Sequence, residues 1–469
     1  MHNFAVRGLG FFNDAYDLFV MNVVNVVLTE QYTKKTYTTN MKSSVSAAAL
    51  IGAIIGQVLF GVLGDVFGRR ITMIATCGLL IIGGILCTVA YAGSAIYTLY
   101  FLVVARGILG IGIGGEYPLA AASTAEDCTN VAERNSRVAL IFSLQGVGSL
   151  TAAIFGNLLV ESLADQPKGD NDPQNLEIIW RILFGIGVIP ACAICYSRIK
   201  AEETEAYKAL KEQEVQTPSL KVSNREKILF IGGNYWKSLL GTAGTWFLFD
   251  IVFYAQNLFS ASILSVIGVS NPSLRQVTTQ NVFIAMMGLP GYYVACYYIN
   301  RLGRKKIQLQ GFFMMTLLFL SLGVWWDQLK TRPVAFIILF GLILFFANFG
   351  PNTTTFVMPT EMFPTPIRGT CHGFSAAAGK AGAALGSFGF SIWVENDAFG
   401  YSGAFFCFAG ITALSIPLTW YCCFDNNLGL ADLDKDFYIR LSKLSKDGVH
   451  PTSEEDRMSE YRPCKTPTV

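Results

Sequence analysis

Apolar runs of about 20 residues recur along the chain, each able to cross about 30 Å of hydrocarbon as a helix. Twelve are predicted, near 4–29, 41–64, 71–93, 97–122, 135–160, 177–198, 234–262, 278–300, 307–327, 333–359, 372–394 and 402–424. Two longer polar stretches interrupt or follow the series. Residues 199–232 contain "EETEAYKALKEQE", whose Glu/Lys spacing predicts a surface helix within a linker. Residues 425–469 end in "EEDRMSEYRPCKTPTV" and read as a tail without fixed structure.

The pattern repeats. "GDVFGRRI" (64–71) follows the second run, and "INRLGRKKI" (299–307) follows the eighth. Both place a Gly and then basic residues in a short turn. "FFNDAYD" in the first run and "WFLFDIVFY" in the seventh both lead aromatics into an Asp. These echoes predict two parallel six-helix halves, 1–198 and 233–424, with a linker at 199–232 and a tail at 425–469. Binding sites between such repeats lie near the midplane in many secondary transporters.

Composition agrees with a membrane class. The 469 residues are 52% hydrophobic and 14% charged, against about 25% charged in soluble chains. A net charge of +2 carries no nucleic-acid footprint. Bases concentrate in alternate loops: Arg69 and Arg70, Arg134 and Arg137, the linker, then Arg301, Arg304, Lys305 and Lys306. By the positive-inside rule both termini and the linker are expected in the cytoplasm. The plasma membrane is the expected address. No cleavable signal is read at the N-terminus, and none of the eleven cysteines falls in a predicted outer loop, so no disulfide framework is expected. Cys192 and Cys195 read as packing residues. With three His, no Ser-His-Asp arrangement and no metal-ligand cluster, neither an enzyme nor a cofactor is expected.

Charges inside the apolar runs are the candidate chemistry, since each costs about 3 kcal/mol at the bilayer centre by insertion scales. They are Asp14, Asp17, Arg106, Glu116, Asp250 and Lys380. "GIGIGGEYPL" (110–119) lets a neighbouring helix come close through its small residues and sets Glu116 among apolar groups. It is not a phosphate-binding Gly loop, because no strand precedes it and no Gly-Lys-Ser follows. Burial favours the neutral acid at Glu116, which suits a proton carrier. Arg106, nearly three turns away, is expected to pair structurally or to tune a carboxyl. Trp246, Asp250 and Tyr254 recur every fourth residue and share one helix face. Gly350 and Pro351 break a helix beside Asn352. Lys380 lies among Ala and Gly and needs an anion, expected to be Asp14, Asp17 or the substrate. Glu361 and Arg368 flank a turn on the basic side, and His372 is expected to be structural.

These residues together resemble the phosphate:proton symporters of the major facilitator superfamily, the fungal and plant high-affinity type. "FFNDAYDLF", "GIGIGGEYPL", "WFLFDIVFY", "ANFGPNTTTF" and "HGFSAAAGKAGAALG" occur in that family's order and span nearly the whole chain. The resemblance implies the major facilitator fold and import of inorganic phosphate with protons. It implies that Tyr117, Gln145, Trp246, Asp250, Tyr254, Asn352 and Lys380 hold phosphate, and that Asp14, Asp17 and Glu116 serve proton movement. Arg106, Asp65, Arg69, Arg70, Arg304, Glu361 and Arg368 are assigned structural or gating roles. Two departures stand out: the family usually has Asp where this chain has Glu116, and "ITMIATCGLLIIGG" lacks the acidic residue some members carry on the third helix.

A phosphate that keeps a P–OH can donate to Asp250 while Trp246, Tyr254, Asn352 and Lys380 donate to its oxygens. Sulfate has no proton to offer, and a site built on such a bond rejects an analogue lacking it by about 10⁴. The rival readings are a carrier of a glycerophosphodiester, sulfate or another organic ion, and a phosphate receptor that signals with little transport. Nothing in the sequence sets the oligomeric state.

Overall fold

The computed structural model describes residues 2–446, apart from 129, 165, 168, 217–229, 265–266, 268–272, 397–398 and 427. Twelve long helices dominate: α1 (His2–Gln31), α2 (Thr39–Phe67), α3 (Arg69–Thr88), α4 (Ala95–Glu126), α5 (Val131–Leu163), α6 (Pro173–Lys200), α7 (Trp236–Leu258), α8 (Leu274–Leu302), α9 (Arg304–Val324), α10 (Pro333–Met362), α11 (Thr365–Glu395) and α12 (Gly400–Cys422). All but α11 are long and apolar enough to cross a membrane. Helix α11 matches them in length but is rich in Gly, Ala and Ser and carries Lys380 mid-helix.

Local signals set the helix ends. The Thr38 hydroxyl accepts the Met41 N–H at 3.2 Å to start α2, and Ser273 with Gln276 forms a capping box at α8. The two basic turns each hinge on one glycine with positive φ, Gly68 (98°) and Gly303 (86°), where a side chain is disfavoured. A Cβ at either position would also strike a carboxylate, that of Glu203 or Asp425. Those carboxylates cap the next helix, accepting the Arg70 N–H at 3.0 Å and the Lys305 N–H at 2.9 Å.

The two halves pack alike. Helix α2 lies on α4 and α1 on α5 in the first half; α7 lies on α11 and α8 on α10 in the second. The halves meet where α2 packs on α11 and α5 on α8. Helix α1 is enclosed almost all round, with 94% of its most apolar stretch buried against 39% for α6. That contrast puts α1 at the molecular centre and leaves α6 a lipid-facing wall. Glycine seams bring backbones together: a Cβ on Gly110 or Gly114 would strike the Ala49 or Ala53 carbonyl of α2, and one on Gly382 or Gly386 the Phe247 or Ile251 carbonyl of α7.

Helix α10 is broken. Phe349 and Gly350 leave helical geometry inside a π-type turn at Asn348–Asn352, and the Phe349 carbonyl is taken up by the Gln310 amide. In the linker, Glu205–Gln216 is helical, and the linker residues 217–229 lie outside the described set. The tail differs from the unstructured reading. Leu430–Lys446 is a helix whose Asp434 accepts the Thr365 N–H at 2.7 Å and its hydroxyl at 2.8 Å. Phe437 is buried on Phe230 at 5.0 Å, and burial raises the Asp434 carboxyl above its ordinary pKa while the Arg368 charge opposes the shift. An apolar stripe with a ready-made helix end to cap holds this segment where composition alone suggested a free tail. Residues 447–469 lie outside the described set.

The seam predicts a contrast between two glycines. Gly114→Ala should cost about 1–3 kcal/mol through backbone collision with α2. Gly78→Ala, where a Cβ meets nothing within 4 Å, should be neutral or stabilise by up to about 1 kcal/mol through helix propensity. Thermal unfolding of the two purified variants checks the difference; equal melting temperatures would show that the seam is not tight.

Candidate functional site

The centre of the interface holds an ion pair. Lys380 Nζ of α11 lies 3.0 Å from Asp250 Oδ2 of α7, both residues only 1% exposed. This replaces the expectation that Asp14 or Asp17 balances Lys380: the α7–α11 glycine seam brings Asp250 nearer than either residue of α1. The ammonium also rests on the ring faces of Tyr254 at 4.4 Å and Tyr117 at 4.9 Å. Trp246 and Tyr254 flank Asp250 on the same face of α7. The indole packs on Gly379, one residue before the lysine. The Tyr254 hydroxyl is buried and faces that of Tyr117 without a hydrogen bond of normal geometry.

The first half supplies Tyr117 of α4, whose hydroxyl donates to Gln145 Oε1 of α5 at 3.4 Å. Asn352 reaches the same region from the broken turn of α10, but its amide hydrogens are engaged: Nδ2 donates to the Tyr292 hydroxyl at 2.8 Å and to Asn348 Oδ1 at 2.7 Å. Tyr292 is therefore a member of the site that sequence reading missed. It sits in "GYYVACYYIN" among aromatics that give no periodic signal.

Both ends of this centre are closed. Toward the basic turns, Phe356 forms a floor that joins the halves. Its ring lies 4.9 Å from Phe11, 4.6 Å from Phe142, 6.4 Å from Trp246 and 5.2 Å from His372. His372 Nε2 bonds the Phe356 carbonyl at 3.1 Å. Toward the opposite end, Phe19 stacks on Tyr254 at 5.8 Å. Above it a neutral knot ties the halves: Asn22 bonds Ser260, donates to Asn281 at 2.9 Å and accepts the Ala261 N–H at 3.0 Å. A small pocket beside the knot is lined by Phe19, Asn22, Asn257 and Asn281. Tyr117, Gln145, Trp246, Asp250, Tyr254, Asn352 and Lys380 are all 4% exposed or less, so the conformation is occluded.

The carboxylates of the first half form two groups. Glu116 does not sit among apolar groups alone. It makes a two-pronged pair with Arg198 of α6, one contact at 2.7 Å, and Thr76 approaches it at 3.5 Å. Arg198 stands two residues from the C-terminal end of α6, and that last turn points it inward, where it is 3% exposed. Asp14 is fully buried near this pair, and neither of its oxygens has a hydrogen-bond partner among the described residues. Asp17 accepts from Asn13 at 3.1 Å and lies against Gly187 of α6. Arg106 reaches its backbone carbonyl at 3.4 Å and that of Val45 at 3.2 Å.

The basic end carries a charge network with near two-fold symmetry. Arg69 pairs with Asp65 at 3.0 Å and Glu126 at 2.7 Å. Arg304 pairs with Glu361, its Nε at 2.9 Å. Asp65 crosses to α11, accepting the Thr370 N–H and hydroxyl, each at 2.8 Å. Its counterpart in the repeat is neutral: Asn300 crosses to α5, donating to Ser136 at 2.8 Å and the Ala132 carbonyl at 3.0 Å. Arg70 stays near the surface and donates to the Ile199 carbonyl at 2.7 Å. Arg134 stands 3.9 Å from Glu361, and Arg368 donates to the Phe363 carbonyl at 3.2 Å.

Chemically, the centre offers an ammonium, an indole N–H and two phenols as donors, with one carboxylate as acceptor. Among the described residues no cluster of His, Cys, Asp or Glu is arranged to hold a metal ion.

Comparison with known proteins agrees with this architecture. Residues 4–427 match the family described as "Sugar (and other) transporter". The chain is 35% identical to a probable inorganic phosphate transporter 1-6 of Arabidopsis thaliana over 92% of each chain. It is 36% identical to inorganic phosphate transporter 1-2 of Oryza sativa subsp. japonica, over 92% of this chain and 93% of that one. Among solved structures, a proton:xylose symporter of the major facilitator superfamily bound to 6-bromo-6-deoxy-D-glucose superposes with a TM-score of 0.72 at 19% identity. That match covers 92% of this chain and 98% of the other. Twelve helices in two like halves around an occluded polar centre, with a match running almost end to end, place the chain in the sugar (and other) transporter family, as a multi-pass membrane protein of the major facilitator fold.

Proposed function

We propose that the protein imports inorganic phosphate together with protons by alternating access. The observation that carries this reading is the Lys380–Asp250 pair, which is buried between the halves and surrounded by donors. A partly protonated phosphate suits that chemistry: its P–OH donates to Asp250 and its other oxygens accept from Lys380, Trp246, Tyr117 and Tyr254. The names of the plant relatives point the same way. Phe356 below and Phe19 above leave little room for a glycerol arm, which favours phosphate over a phosphodiester. The basic turns face the cytoplasm by the positive-inside rule, with the plasma membrane as the proposed site of action. Opening outward then needs the Asn22 knot to part, together with the Phe19–Tyr254 stack and the Arg275–Glu161 and Thr278–Asn157 contacts between α8 and α5. Opening inward needs the Phe356 floor and the Asp65 and Asn300 ties to part.

Protons are assigned to Asp14, Asp17 and Glu116, with a division of labour. Among the described residues no donor holds Asp14 as an anion, so it is the group suited to carry the proton. Glu116 serves as counter-ion to Arg198 beside it, and Asp17 answers Arg106.

Two predictions follow the geometry. Asp250→Asn and Lys380→Ala should each abolish phosphate binding, and each strands a buried charge at a cost of about 3–5 kcal/mol. The double variant Asp250→Asn/Lys380→Met removes both charges; it should regain stability but not binding. Calorimetric titration with phosphate beside thermal unfolding checks this, and retained wild-type affinity in any of the three would sink the site.

The second concerns coupling. Wild-type uptake should fall as external pH rises, because protons are co-substrates. Asp14→Asn should lose accumulation driven by a pH gradient, keep phosphate-for-phosphate exchange, and show a flat pH profile. Glu116→Gln should lose accumulation too, but it also leaves Arg198 unpaired and should melt earlier. Gradient-driven uptake and counterflow on the same vesicles separate the two; wild-type accumulation by Asp14→Asn would move the proton elsewhere.

A further inference from the structure

Arg134 and Arg368 are the least satisfied charges at the basic end. Both are at most 1% exposed. Arg134 Nε and Nη2 and both terminal nitrogens of Arg368 have no hydrogen-bond partner among the described residues. Buried guanidinium donors without acceptors are costly, and each such group in a folded protein calls for a missing partner. The neighbouring carboxylates are already engaged. Glu361 is held by Arg304 and meets Arg134 only at 3.9 Å. Glu126 is held by Arg69 and by the Thr204 hydroxyl at 2.9 Å. Asp434, which faces Arg368, spends both oxygens on Thr365.

The two arginines come from opposite halves, α5 and α11, at matching places in the repeat, and they lie within electrostatic reach of each other. Each is one short step below the aromatic floor. Arg368 is one helical turn from His372, which touches both Trp246 and Phe356. Arg134 faces Glu361, five residues along α10 from Phe356. An anion leaving the centre past Phe356 meets these forks before it reaches water.

We infer that Arg134 and Arg368 form a second phosphate station between the halves, beneath the floor of the central site, where free phosphate is held on its way to or from the basic face. The inference rests on the phosphate reading above. Guanidinium forks match the oxygen spacing of a phosphate and bind it in pairs. Two of them supplied by opposite halves also fit their lack of a closing carboxylate: the anion itself completes the interface, then leaves as the halves part. The site is sealed from lipid, so free phosphate rather than a phospholipid headgroup is the occupant.

The test uses full-length protein in vesicles of neutral lipid, with orientation resolved, and measures the KM for phosphate from each face. Arg134→Gln and Arg368→Gln should raise the KM from the basic face about tenfold, as for one lost charge-assisted contact, and leave the opposite face within about twofold. Ties that only hold the inner end shut predict the reverse sign, because loosening them favours the inward-open state and lowers the KM from the basic face. That reversal, or no change, overturns the inference. Arg134→Lys and Arg368→Lys keep the charge and remove the fork, and should raise the same KM if the Gln variants fail to fold. Adding phosphatidate to the vesicles at constant free phosphate should change nothing; competition by that lipid would overturn the assignment to free phosphate. Wild-type protein that moves no phosphate from either face would instead sink the transport reading itself, which is a separate result.

Discussion

Charge inside an apolar bundle is the constraint on which the rest of this structure depends. Lys380, Asp250, Glu116 and Arg198 are each at most 3% exposed in the occluded state, so each finds its partner within the protein. The solutions differ by depth. At the centre one cation and one carboxylate bridge α7 and α11 beneath two phenol rings. Within the first half, Glu116 and Arg198 close on each other beside Asp14. At the basic end a network of arginines and acids spans both halves. An ion pair that a protonated oxyanion can enter, replacing one contact by several, is the chemistry on which the proposed phosphate site rests.

The repeat makes the two ends of the molecule unequal. The end remote from the basic turns buries a neutral knot of amide and hydroxyl groups around Asn22, and its cross-half ion pair, Arg275 with Glu161, lies exposed to solvent. The basic end closes with charge, and within it Asp65 and Asn300 occupy equivalent places with different strength. A charged acceptor on two donors is roughly twice as strong as a neutral one. The two-fold frame thus carries a built-in asymmetry in the ties that close its basic end.

Much of the fold was legible because a membrane simplifies the reading. Helix length follows from hydrocarbon thickness, and the echo of "GDVFGRRI" in "INRLGRKKI" gave away the two halves. The tail helix was less legible: Leu430–Lys446 is polar overall, and only its docking on Phe230 and Thr365 makes it fold. The central residues were legible as charges that a bilayer does not tolerate without reason. Their partners were not. Lys380 finds Asp250 across 130 residues and Glu116 finds Arg198 across 82.

The sequence by itself determined the class, the repeat and which side chains must matter, since those follow from local apolarity and the cost of a buried charge. Tertiary structure decided who answers whom. It made Arg198 a buried counter-ion for Glu116, left Asp14 without a hydrogen-bond partner among the described residues, spent the Asn352 amide on Tyr292 and Asn348, and set Phe356 as the floor. It also left donors of Arg134 and Arg368 without hydrogen-bond partners among the described residues. The physical reason is that pairing depends on distances between helices, and glycine seams and helix crossings fix those distances without any trace in the spacing of the paired residues along the chain.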